Sequence, residues 1–99
     1  MELKEGTTIW IPCEVKPGPF SNERLARVEH LDGTWVGFVD ANYLRNKVAT
    51  GSDLLQARVV SVKGDHFYAR LPGHSVGATP LFHGTLERAV RDPISACLN

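Results

Sequence analysis

The stretch DGTWVGFVDANYLR, residues 32–45, decides the fold. Asp32-Gly33 stands between two β-prone runs, RLARVEH (24–30) and TWVGFVD (34–40). A tight turn between strands needs positive φ, which glycine adopts without a Cβ penalty, so the pattern predicts a hairpin at Asp32-Gly33. The second run is apolar on both faces, with Trp35 and Val39 on one and Val36 and Phe38 on the other. That composition predicts a central strand covered on both sides, with Trp35 and Phe38 in the core. Gly37 inside it predicts a bulge or a close backbone approach. Residues 41–45, ANYLR, read as a short helical turn.

Working outward, TTIWIPCEV (7–15) alternates cleanly. Ile9, Ile11, Cys13 and Val15 share an inward face, and Trp10, Pro12 and Glu14 the outward one. Pro12 has no N–H to give a ladder, which predicts that this strand lies at an edge or bends there. Pro17, Gly18 and Pro19 then mark a wide, partly stiffened loop. Downstream, NKVATGSD (46–53) reads as a polar connection, and LLQARVVSV with HFYARL forms a second hairpin across Gly64-Asp65. The expected strands are 8–15, 24–30, 34–40, 55–63 and 66–71. Thr85 is a plausible N-cap with Leu86, Ala89 and Val90 on one face, so a short C-terminal helix is expected before Pro93. Residues 83–99 are then a helical appendage packed on a single domain spanning 1–99. The shared Ala26-Arg27-Val28, Ala57-Arg58-Val59 and Ala69-Arg70-Leu71 fragments are too short to establish a repeat.

Composition narrows the function classes. The chain has 99 residues, 42% hydrophobic and 22% charged, the profile of a single globular domain. Eleven basic residues cancel eleven acidic ones, and the two signs interleave, so the basic excess that displaces counterions from phosphates is missing. Nucleic acid is therefore a disfavoured partner. No apolar run reaches the eighteen residues of a membrane span. MELKEGTT carries no apolar signal region, and a cytoplasmic protein is expected. Cys13 and Cys97 make no disulfide framework; Cys13, on the inward face, should be desolvated and inert.

Catalytic and metal motifs are missing from the pattern. His30, His66, His74 and His83 show no Cys-x-x-Cys or His-x-x-x-His spacing, so they read as surface histidines and no metal or cofactor is expected. GHSVG (73–77) puts His before the serine in a loop after Pro72, and is not a nucleophile elbow. No enzyme is predicted.

The segment ARVEHLDGTWVGFVDANYLR (26–45) resembles the C-terminal half of bacterial SH3-like domains. Gly33, Gly37, Phe38, Val39, Tyr43 and Leu44 stand where that family has a glycine turn, a Gly-aromatic-Val strand end and a closing Tyr-Leu. The resemblance covers about 20 residues and implies a mainly β, five- to six-stranded SH3-like barrel. The family's usual Asn-Val-Arg opening is missing, and VKPGPF (15–20) imitates it only loosely. GTTIWIP (6–12) also looks similar to the opening of SH3-like ribonuclease toxins, without their Arg-Pro pair.

These readings converge on a non-catalytic binding module for a protein or peptide partner. Its expected site is the outward side of the first strand and the loop after it: Trp10, Pro12, Pro17, Pro19 and Phe20, joined by Tyr43. Exposed aromatics give large contact area at low entropic cost. The alternatives are an RNA-binding or ribonuclease-toxin-like barrel, or a structural subunit that self-associates through the edge strand or the C-terminal segment.

Overall fold

The computed structural model describes residues 3–31, 33–72, 74–75, 81–85 and 90–91. Among them are eight antiparallel strands: β1 Thr8–Pro17, β2 Glu23–His30, β3 Gly33–Asp40, β4 Gly51–Lys63, β5 His66–Arg70, β6 His74–Ser75, β7 Leu81–Thr85 and β8 Val90–Arg91. A 3-10 turn, Ala41–Tyr43, links β3 to the loop before β4. The sheet runs β6-β3-β2-β1-β4-β5-β7, with β8 alongside β1. Leu31 N–H, at the β2–β3 tip, donates to the His83 carbonyl of β7 at 2.9 Å, bringing the far strands together in a nearly closed barrel.

Alternation in β1 holds residue by residue: Ile9, Ile11, Cys13 and Val15 are buried while Thr8, Pro12, Glu14 and Lys16 are exposed. Their inward side chains meet Val28, Trp35, Leu44, Leu55, Val59, Phe67 and Phe82 in one core. The rings of Phe67 and Phe82 lie 5.6 Å apart and tilted, bridging β5 and β7. Both predicted hairpins form. Gly64 takes φ +63° between the paired Lys63 and His66, a conformation in which any side chain would be strained. The first hairpin pairs His30 with Gly33.

Several expectations need correction. β1 is an interior strand, paired with β4 from Thr8 to Val15 and with β2 from Glu14 to Pro17. Pro12 fits there because its ring nitrogen faces a gap. The carbonyl of its β4 partner Leu54 accepts from Arg45 N–H at 2.9 Å, so Leu54 turns its polar groups away from β1. Pro12 and Leu54 are thus a pair without mutual hydrogen bonds, and pairing to β8 stops at Trp10 while pairing to β2 starts at Glu14. Self-association through β1 as an edge loses its ground.

β3 is not covered on both sides, since Val36 is 44% exposed and Phe38 half-buried. The β2–β3 register runs unbroken past Gly37, so no bulge forms there. The register break lies in β4, between Val59 and Ser61. The described parts of the expected C-terminal helix are strand: Thr85 pairs with His66, and Val90 with Trp10. Residues 86–89 and 92–99, with Cys97, lie outside the described residues, as do Gly73 and 76–77 of GHSVG.

Candidate functional site

The β1–β2 connection and the 3-10 turn build the site together. Gly18 N–H donates to the Glu23 carbonyl at 2.9 Å, and Glu23 N–H to the Phe20 carbonyl at 3.0 Å. A Cβ on Gly18 would stand 2.8 Å from that Glu23 oxygen, so the closed loop requires glycine at this point. Phe20 is thereby held at the tip, 72% exposed. Ala41 N–H donates to the Asn22 carbonyl at 2.7 Å, tying this loop to the exit of β3. Asp40 caps the 3-10 turn, its Oδ1 accepting from Asn42 N–H at 2.8 Å. Tyr43 follows, 42% exposed, while Leu44 points inward and is buried.

Phe20, Phe38 and Tyr43 consequently line one open depression of about 410 Å³, with Asn22, Glu23, Val39 and Asp40 completing its walls. Glu23 and Asp40 face each other directly across β2 and β3. Like charges so opposed cost stability, and no cation among the described residues pairs with either carboxylate. Tyr43 also borders a second depression of about 390 Å³, beside Thr8, Gln56, Arg58, Arg70 and Pro72.

The predicted residues thus divide. Phe20 and Tyr43 share a depression, joined by Phe38, which the sequence reading had assigned to the core. Trp10 stands apart on the outer face of β1, half-buried, with the Arg45 guanidinium 5.7 Å from its ring centroid. Pro12 is exposed at the rim of a separate groove of about 590 Å³, where β1 and β2 diverge. Pro17 and Pro19 are exposed but line neither depression beside Tyr43. Trp35 is core, as expected, at 1% exposure.

Two residues on the floor of the large groove matter for stability. Cys13 is buried, and desolvation pushes its thiol up to about 12, with the charges of Asp53 and Glu14 adding to the rise. A thiol held neutral is a poor nucleophile. We expect Cys13 to react with Ellman's reagent in the native protein far more slowly than after unfolding, and equal rates would contradict its inward placement. Asp53, its partner across β1 and β4, is the buried charged residue that the sequence reading missed. Its carboxylate accepts from the backbone N–H of Asn46, Val48 and Leu54 and from the Asn46 side chain. Burial alone would raise this carboxyl, but these hydrogen bonds outweigh it and hold it below its ordinary value.

Among the described residues, no group of three or more His, Cys, Asp or Glu gathers into a metal-holding cluster. No helix among them is long and apolar enough to cross a membrane. No protein-family model, curated protein or solved structure matches the chain.

Proposed function

We propose that this chain is a non-catalytic interaction module of the small SH3-like barrel type. It docks an extended segment of a protein partner in the depression formed by Phe20, Phe38 and Tyr43. The observation that carries this reading is the directly opposed pair Glu23 and Asp40 on the wall of an aromatic depression. The fold keeps two carboxylates without a paired cation opposed across β2 and β3 beside three rings, although Asp40 also caps the 3-10 turn, and like charges so opposed cost stability. A lysine or arginine brought by the partner relieves that repulsion, and an adjoining apolar side chain fills the space between the rings. The recognised segment therefore carries a basic residue next to an apolar one. The same acidic wall repels phosphate, which weighs against an RNA backbone as the occupant.

Selection of a displayed random-decapeptide library on the full chain tests this. Enriched sequences should share an apolar residue within a few positions of lysine or arginine. Tyr43→Ala and Phe20→Ala should each weaken the selected peptides by about 1–3 kcal/mol while leaving the unfolding midpoint within error. Glu23→Gln should weaken binding yet leave stability unchanged or slightly higher, because it removes the repulsion. Failure to enrich any family of peptides, or enrichment indifferent to all three substitutions, would overturn the proposal.

A further inference from the structure

The strongest chemistry outside that depression lies on the paired strands β5 and β7. β5 and β7 pair Tyr68 with His83 and His66 with Thr85, which sets His66 and His83 diagonally on one outward face. Their rings meet: His66 Nδ1 lies 3.0 Å from His83 Nε2, with centroids 5.1 Å apart. Tyr68 packs edge-on against His83 at 4.4 Å, fixing that ring. On the far side of His66, Asp65 Oδ1 stands 3.6 Å from Nε2. The pair opens into a small cavity of about 170 Å³ bordered by Ser61, Lys63 and Phe67.

We propose that His66 and His83 form a two-nitrogen chelate for a divalent transition-metal ion, with water completing its coordination. Two coordination geometries bracket the spacing of the two nitrogens. With metal–nitrogen bonds of about 2.0–2.1 Å, two ligands at tetrahedral angles sit about 3.3 Å apart. Two ligands at right angles sit about 2.9 Å apart, the cis arrangement of square-planar or octahedral copper(II) and nickel(II). The observed 3.0 Å is that of an imidazole–imidazole hydrogen bond and lies close to both spacings, so a small rotation of the rings admits either geometry.

Asp65 supports the required tautomer: a proton on His66 Nε2 faces its carboxylate, which leaves the Nδ1 lone pair for the metal. His83 ligates through Nε2 with its proton on Nδ1. The proton shared between the rings therefore relocates within an imidazole when the ion enters. Asp65 favours the ion electrostatically, whereas Lys63 opposes it, and Tyr68 contributes its ring. This site is independent of the docking depression and stands or falls separately.

Calorimetric titration of the full chain with Ni2+ at about pH 7.5 provides the test. One ion per chain is expected, with affinity reduced about tenfold or more in His66→Gln and in His83→Gln, and less in Asp65→Asn. Paramagnetic broadening by Ni2+ in the unaltered chain, which needs no variant to fold, should reach His66, His83 and their neighbours Ser61, Phe67 and Tyr68 before residues elsewhere. Absence of binding would overturn the inference. So would binding that neither glutamine variant alters, or broadening centred elsewhere, since the two imidazoles would then be sharing a proton and nothing more.

Discussion

Cys13→Asp is expected to destabilise the domain by about 4 kcal/mol or more, enough to unfold much of a protein whose total stability is about 5–15 kcal/mol. The position is 7% exposed and lies directly opposite Asp53 in the β1–β4 ladder. A second carboxylate there would be desolvated and would face the first, while the nearby amide donors are already engaged by Asp53. Cys13→Val separates charge from shape, because it keeps the site apolar at similar volume and should cost less than about 1.5 kcal/mol. Urea unfolding of the two variants beside the parent chain measures both. If Cys13→Asp fell within about 1 kcal/mol of the parent, the buried phase of β1 would be wrong.

The same residue gives an alkaline signature. Its folded value is raised to about 12 from an ordinary 9.0, so the folded state holds the proton more tightly than the unfolded chain does. Stability is full below pH 9 and declines as pH climbs from there toward the raised value. Cys13→Val should lose that component of the decline.

How much of this was legible beforehand follows from the range of each signal. Strand alternation and glycine turns are local, which is why β1 showed its inward face and Gly64-Asp65 its hairpin. The edge or interior status of a strand is not local. Pro12 looked like an edge marker, but a gap between the β8 and β2 partners of an interior strand satisfies it equally well. Phe38 read as core because apolar residues on two faces usually mean two layers; the second face of β3 instead opens toward Phe20 and Tyr43. His66 and His83 are 17 positions apart, a spacing that no helical or loop motif would mark, and only the β5–β7 register joins them. The opposed positions of Glu23 and Asp40 were invisible for the same reason, since their pairing depends on how β2 registers against β3.

Asp53→Ala is the second large effect, expected at about 3–4 kcal/mol. In the sequence Asp53 ended a stretch read as polar connection, yet it begins the buried part of β4 and is 5% exposed. Lys47, at φ +53°, turns the chain so that the amides on either side of it, Asn46 and Val48, aim at one carboxylate. Truncation leaves these donors and Leu54 N–H without an acceptor, and each buried orphan costs about 1–3 kcal/mol. Part of that is recovered when the loop opens to water, so the sum stays below three full penalties. The effect should spread to Arg24, whose Nε donates to the Val48 carbonyl at 3.0 Å and ties the same loop to β2. Acid unfolding supplies the second readout. The Asp53 value is lowered in the folded state, so its contribution is present above the unfolded value of 3.8 and is lost as pH falls through the lowered folded value. The parent chain should therefore lose stability steeply below about pH 4, the ordinary carboxylate range. Asp53→Asn, weaker at neutral pH, should lose less over the same interval. Parallel acid limbs in the two proteins would show that other carboxylates govern acid unfolding and that Asp53 is not the residue holding the 46–48 loop to the barrel.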